Sequence, residues 1–414
     1  MTENAKDQAV VSPQQQSGNA IAQIARTFVQ YAFYCMLERF HRRPATSATD
    51  IATSPKQMTA VWLTAILCSE HEGAAVESFE AEDVHKGTSS RLRISVTYNE
   101  AGRNAGLPTD LFAKTTHSFT QRFTLSLAGI ITGEPTFFKH LRPGLDIEAP
   151  RGYHGAFDLG SGRSISVLEN IAISKGATFF TPQSPVSRAQ MEDLLANLAA
   201  MHGRYWNAPE LDQHEHIKTP AKHYYNLDQL VRIEKRAQVG IERAQRVKNV
   251  IPDSVVEDQN NLYRALKQSL EVASQAPATL LHGDSHVGNT YQTSAGKMGF
   301  TDWQIIMKGS WAYDVAYTMG SGLAVEDRRS WEKELIAFYL ERLDAAGGKA
   351  PDFESAFLAY RQQTIYPYMI WLATIGHSAI QPKYQPDEIS CSIIERTAHA
   401  VMDHDPCAAL KLAS

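Results

Sequence analysis

The sequence predicts an α+β protein in which a small β-rich lobe precedes a larger, mostly helical lobe. Two observations carry this. Between residues 90 and 170 apolar side chains alternate with period two, whereas from Ser187 onward they recur mostly at helical spacing. A cleft is expected between two such lobes.

Taken in order, residues 1–19, MTENAKDQAVVSPQQQSGN, are polar and Gln-rich and are expected to form a disordered tail. Residues 20–50 are expected to form a helical extension: Ile21, Ile24, Ala25, Phe28, Ala32, Cys35 and Met36 repeat at helical spacing before HRRP closes the segment. The β-rich lobe is placed at 51–172. It starts with a helix near Pro55–Cys68, followed by the strand RLRISVTY, whose Leu92, Ile94, Val96 and Tyr98 share one face. NEAGRNAGLPTD reads as a loop, LFAKTT as a second strand carrying Lys114, and residues 116–141 as one helix. RGYHGAFDL and RSISVLENI flank Gly160-Ser161-Gly162 as a hairpin.

The helical lobe is placed at 173–414. Ser187 and Gln190 have the spacing of a capping box ahead of Leu194, Leu195, Leu198 and Met201. Further helices are expected near 227–248, 254–275, 329–346, 352–373 and 386–402, interrupted by a β insertion of TLLHGD, NTYQT and MGFTD.

Composition excludes several classes. Forty Lys and Arg against 45 Asp and Glu, with no basic run, argue against nucleic-acid binding. Four scattered cysteines without a C-x-x-C pair argue against a zinc site or a disulfide framework. The most apolar stretch, MTAVWLTAILC, is too short to span a bilayer, so no membrane insertion and a cytoplasmic location are expected. Nothing in the sequence sets an oligomeric state.

The chemistry concentrates in LLHGDSHVGN, residues 280–289. Phosphoryl transfer of the protein-kinase kind uses H-x-D-x-x-x-x-N, in which the Asp takes the nucleophile's proton and the Asn holds Mg²⁺. His282, Asp284 and Asn289 fit that spacing, and Asp302 ends the following strand as a second metal ligand should. The same chemistry needs a lysine for phosphates, a helical glutamate to hold it and a glycine-containing turn over the phosphates. Lys114, Glu134 and the turn Gly87, Thr88, Ser89, Ser90 occur in that order. Singly, each is an ordinary surface feature; their order relative to the loop raises them.

HGDSHVGN at 282–289, TDWQ at 301–304 and WAYDVAY at 311–317 resemble the aminoglycoside phosphotransferase and choline kinase superfamily. PKQMTAVWLTAIL, SFEAEDVHKG and DWQ look most like its ecdysteroid-kinase-like branch. The resemblance implies a protein-kinase-like two-lobe fold, with ATP and Mg²⁺ as cofactors and a small-molecule alcohol as substrate. It implies Asp284 as catalytic base, Asn289 and Asp302 as Mg²⁺ ligands, and Lys114 with Glu134 as the phosphate-positioning pair. Asp314 would brace the loop, and backbone groups of Glu169, Asn170, Ile171 and Ala172 would face the adenine. Family loops often read HPGN where this chain has His286-Val287-Gly288-Asn289, a change that alters stiffness but removes no ligand.

His282 is expected to shape the loop, and His286 either to do the same or to face substrate. Tyr366, Tyr368 and Trp371 are candidate substrate contacts; their lack of carboxylates suits a neutral, partly apolar alcohol better than an aminoglycoside, although aromatic core packing would explain them equally well. An aminoglycoside or choline/ethanolamine-type kinase, and a nucleotide-binding pseudokinase without turnover, are the alternatives. A GDS-type esterase is disfavoured because no D-x-x-H pair occurs. His214, His216 and His223 lack a fourth ligand at metal-site spacing and read as loop residues.

Overall fold

The computed structural model describes residues 13–40, 43–377 and 386–412. Of the expected tail, residues 1–12 lie outside the described residues, as do His41 and Arg42 of the closing HRRP. The remainder corrects the expectation: helix α1 spans Pro13–Phe40, so PQQQSGN is helical. Proline is pre-organised for a first helical turn, and glutamine is a good helix former.

After α1 come a 3₁₀ turn at Pro55–Gln57 and helix α2 (Ala60–Leu67), capped by Thr59, whose hydroxyl accepts from the Trp62 N–H. Strands β1 (Val76–Lys86), β2 (Ser90–Tyr98) and β3 (Asp110–Thr115) follow, with the short helix α3 (Glu100–Asn104) between the last two. Helices α4 (Phe119–Leu127) and α5 (Gly133–Thr136) lead to β4 (Gly152–Asp158) and β5 (Arg163–Glu169). The five strands form one antiparallel sheet in the order β1-β2-β3-β5-β4. Leu92, Ile94, Leu111, Ala113, Ile165 and Val167 project from one face onto Trp62 and Leu63 of α2. The opposite face carries Lys114, which lies across from Ser166 of β5.

Three expectations change here. The loop at 99–110 contains α3, because the Asn99 side chain accepts from Gly102 N–H and caps a turn of helix. The single helix over 116–141 is broken: Gly129 has φ +70°, outside the right-handed helix, and the chain restarts as α5 followed by a π turn at Phe137–Leu141. The segment SFEAEDVHKG is mostly an edge strand, β1, whose apolar alternation is interrupted by register shifts at Val76/Ser78 and Asp83/His85.

The helical lobe contains α6 (Ile171–Ser174), α7 (Arg188–Arg204), α8 (Pro220–Val231), α9 (Ile233–Lys248), α10 (Asp253–Glu257) and α11 (Gln259–Gln275). After the β insertion come α12 (Trp311–Gly322), α13 (Val325–Ala345), α14 (Phe353–Gln363), α15 (Ile365–Ile375), α16 (Asp387–His404) and α17 (Pro406–Ala409). The capping box at Ser187 and Gln190 is present. Residues 227–248 are two helices, not one, because Arg232 sits at φ 51° between α8 and α9. The β insertion divides between two sheets: β7 (Thr279–Leu281) pairs with β10 (Met307–Gly309), whereas β8 (Thr290–Gln292) and β9 (Met298–Phe300) join β6 (Thr178–Phe179). Every residue of α12 is buried, which makes it the spine on which the β7–β8 loop rests. Among the described residues no helix is long and apolar enough to cross a membrane.

Helix α1 is fastened to the β-rich lobe by Phe28 against Phe119 and Phe123, by Tyr31 bonded to Ser126 and Leu159, and by one fork of charge. The Arg122 guanidinium is fully buried and donates to both Glu38 oxygens at 2.7 and 2.6 Å, while Arg163 Nε donates to Glu38 at 2.9 Å. Removing one partner of a buried pair strands the other charge. Glu38→Ala is therefore expected to lower unfolding free energy by about 3 kcal/mol in urea denaturation. A loss below about 0.5 kcal/mol would show that the fork is no part of what fastens α1.

Candidate active site

The site is built from the β7–β8 loop, the end of β9, and the β3–α5 pair above them. Leaving fully buried β7, the backbone N–H groups of His282 and Gly283 donate to the two carboxylate oxygens of Asp314 at 2.6 and 3.0 Å. Ser285 Oγ donates to the Asp314 carbonyl at 3.1 Å, and Thr318 Oγ1 donates to the Ser285 carbonyl at 3.0 Å. The loop is thus laid along α12. Gly283 has φ +80°, and a Cβ there would fall 2.0 Å from the Ile305 carbonyl oxygen, so only glycine fits.

His282 links this loop to the strand that carries Asp302. Its Nδ1 accepts from Asp284 N–H at 3.2 Å, which leaves Nε2–H to donate to the Thr301 carbonyl at 2.9 Å. Burial lowers its pKa despite the nearby Asp314 and Asp284, keeping the ring neutral and fixed. Thr301 N–H donates in turn to the Asn289 carbonyl at 2.7 Å, and Thr290 faces Phe300 in the β8–β9 register. That register brings Asn289 beside Asp302.

Asp302 has φ 60°, a left-handed conformation that a non-glycine residue adopts at a cost of about 1–3 kcal/mol. Its Oδ1 meets Lys114 Nζ at 3.0 Å, and the same ammonium lies 2.9 Å from Glu134 Oε1. Glu134 comes this close because Gly133 packs directly on the 303–305 turn, where a Cβ would sit 2.1 Å from the Gln304 carbonyl oxygen. Phe137 stacks on Trp303 with ring centroids 3.8 Å apart, completing the contact. Burial alone would raise the Asp302 pKa, but the Lys114 ammonium, with a smaller contribution from Arg91, holds it below the usual carboxylate value. Burial dominates at Glu134, whose pKa is raised despite Lys114.

Asp284 is held on both oxygens. Asn289 Nδ2 donates to Oδ2 at 3.0 Å and to the Asp284 carbonyl at 2.8 Å; the Tyr317 hydroxyl donates to Oδ1 at 3.1 Å. Trp371 Nε1 donates to that hydroxyl at 2.9 Å. Burial and the Asp284 charge push the Tyr317 phenol far above its ordinary pKa, so it stays a donor. His286 Nδ1 accepts from Gly288 N–H at 3.0 Å, turning Nε2 toward Asp284 Oδ2 at 3.7 Å.

The other sequence-derived candidates are placed as follows. In the β1–β2 turn, Gly87 and Thr88 are exposed and Ser89 is buried near Lys114 and Glu134. Ser90 turns away from the cleft: its hydroxyl donates to Gln121 of α4 at 3.2 Å, because its register partner Thr115 points to the other side of the sheet from Lys114. Glu169, Asn170, Ile171 and Ala172 form the link from β5 into α6; Glu169 N–H donates to Arg151 and the Asn170 carbonyl accepts from Ser174. Tyr366 and Trp371 are buried and reach Asp284 through Tyr317 instead of lining an open wall. Tyr368 is fully buried in the hydrophobic core of the helical lobe. Its placement as a substrate contact is corrected to a core packing role. Among the described residues no group of three or more His, Cys, Asp or Glu side chains could hold a metal, so His214, His216 and His223 form no such centre.

Tyr317 was not singled out by the sequence. Its signal is its place three residues after Asp314 on one helix, a spacing that puts both side chains on the same face.

Lys114 of the β-rich lobe thus meets Glu134 and, across the lobes, Asp302, while Asp284 and Asn289 are bonded to each other on the β7–β8 loop. A family model, APH, described as a phosphotransferase enzyme family, matches residues 121–357, and the chain belongs to that family. It is a phosphotransferase with an alcohol group as acceptor. No curated protein matches it by sequence. Among solved structures it is similar to choline kinase from Cryptosporidium parvum Iowa II, at 14% identity over 79% of this chain and 91% of that one, with TM-score 0.46. A choline/ethanolamine kinase family protein from Mesorhizobium loti matches at 13% identity over 81% and 93%, TM-score 0.42. Macrolide 2′-phosphotransferase from Brachybacterium faecium matches at 16% identity over 85% and 99%, TM-score 0.39.

Removing the Tyr317 hydroxyl costs Asp284 one charge-assisted hydrogen bond. Tyr317→Phe is expected to fold normally and to lower kcat roughly ten- to a hundred-fold. Unchanged kcat would show that Asn289 alone orients the carboxylate.

Proposed function

We propose that the chain is an ATP-dependent kinase that transfers the γ-phosphoryl group to the hydroxyl of a neutral or partly apolar small alcohol, using Mg²⁺. The observation that supports this reading is the chain of contacts from Lys114 across the lobes to Asp302, from Thr301 beside it to Asn289, and from Asn289 to Asp284. In this reading residues 51–172 are the N-lobe and 173–414 the C-lobe. The ecdysteroid-kinase-like branch, supported by the motifs quoted above, and a cytoplasmic location belong to the same proposal.

The donor set fits Mg²⁺. Asn289 commits its amide nitrogen to Asp284, leaving its oxygen available, and the second Asp302 oxygen has no hydrogen-bond partner among the described residues. Hard oxygen donors in small number, with phosphate and water completing the shell, are what Mg²⁺ takes. When bound, the ion would neutralise charge on the β- and γ-phosphates.

The residues then divide the work. Asp284 accepts the proton of the attacking hydroxyl, whose oxygen lone pair forms the new bond to the γ-phosphorus. The bond to the β–γ bridging oxygen breaks, and ADP leaves with that electron pair. Lys114, oriented by Glu134, holds the phosphate chain, and Tyr317 and Asn289 fix the base. Most of the rate comes from positioning and electrostatics. The aromatic set behind Asp284, Tyr317 with Tyr366 and Trp371, brings no carboxylate of its own, which supports an uncharged acceptor. A polycationic aminoglycoside would want more acids there.

Mg²⁺-dependent ADP release across a panel of alcohols tests the reading. Asp284→Asn and Asp302→Ala are expected to fold and to lose at least about a hundred-fold in turnover. Full activity in folded Asp302→Ala contradicts the assignment; equal background turnover in wild type and Asp284→Asn would favour a nucleotide-binding pseudokinase.

A further inference from the structure

Arg91 has no place in the machinery described so far, yet the sheet aims it at the same crevice. In the β2–β3 register Arg91 lies directly opposite Lys114. Residues opposite one another in an antiparallel pair project from the same face. Arg91 therefore shares the face that carries Lys114, while its neighbours Leu92 and Ile94 point into the core beneath α2. After Lys114 it is the next cation whose charge acts on Asp302.

Two cations directly across a strand pair repel each other, a penalty of roughly 0.2–1 kcal/mol unless an anion lies between them. Lys114 has Glu134 and Asp302 as partners. No side-chain hydrogen bond or ion pair joins the Arg91 guanidinium to another described residue. The contrast with Arg93, two residues along the same face, is direct: Arg93 is exposed and has Asp110 as an ion-pair partner at 3.4 Å. Arg91 is instead half-buried, two residues after Ser89, which is buried near Lys114 and Glu134.

We infer that Arg91 is a further phosphate-binding residue, whose guanidinium contacts the β- and γ-phosphoryl oxygens of the bound nucleoside triphosphate beside Lys114. This rests on the nucleotide reading proposed above. The chemistry suits the position: a guanidinium offers a planar fork to two phosphoryl oxygens, whereas the lysine ammonium is a point charge already shared with two carboxylates. Placed near Asp302, the fork faces the end of the phosphate chain where negative charge redistributes during transfer.

The test compares Arg91→Gln, Arg91→Lys and Arg93→Gln with the wild type, by calorimetric titration with ADP and with adenosine, and by initial rates with Mg²⁺ and ATP. Arg91→Gln is expected to lose roughly ten- to a hundred-fold in ADP affinity and in kcat/KM for ATP, with adenosine binding unchanged. Arg91→Lys recovers part of the loss, and Arg93→Gln behaves as wild type. Adenosine binding separates a phosphate contact from damage to the lobe: equal loss of adenosine and ADP binding would overturn the inference, as would wild-type behaviour of Arg91→Gln. Failure of the wild type itself to bind ADP would instead bring down the kinase reading, and this inference with it.

Discussion

The structure turns on one ammonium. Lys114 Nζ lies 2.9 Å from Glu134 and 3.0 Å from Asp302, so a strand of the sheet, the helix beneath it and the end of a strand in the other lobe meet at a single charge. Burying an unpaired ammonium would cost several kcal/mol, which is why its partners must be present together. A single ammonium thus answers two carboxylates, Glu134 and Asp302.

The lower half depends on a second buried charge. Asp314 is fully buried on the enclosed helix α12, and its carboxylate is satisfied by the two N–H groups that start the 282–289 loop. His202 adds a contact at 3.3 Å from beneath. The same helix, one turn on, supplies Tyr317 to Asp284. The positions of the loop and of the Asp284 carboxylate are thus both set by one rigid element.

Much of this was legible in the sequence because it depends on spacing. The H-x-D-x-x-x-x-N pattern, the strand-ending Asp302 and the alternation of Leu92, Ile94, Val96 and Tyr98 each follow from a local period. Lys114 and Glu134, 20 positions apart, were readable only as an ordered pair, and the structure joins them by a hydrogen bond. What escaped depends on geometry that a period does not encode. β1 was missed because it is an edge strand with two register irregularities. The helix at 116–141 breaks at Gly129, where a positive φ is invisible in an apolar pattern. Tyr366, Tyr368 and Trp371 look alike as an aromatic run, yet one bonds Tyr317, one packs against it and one is enclosed in the core. Arg91 acquires meaning only from the register that sets it across from Lys114.

The shared ammonium makes the account open to one decisive measurement, a crystal structure with Mg²⁺ and a non-hydrolysable ATP analogue. The account predicts that Lys114 keeps Glu134 and turns from Asp302 to the phosphates. Asp302 and the Asn289 oxygen then hold the metal, while Asp284 stays free of it. A nucleotide bound elsewhere, or bound here with Asp302 still on Lys114 and no metal beside it, would contradict the account.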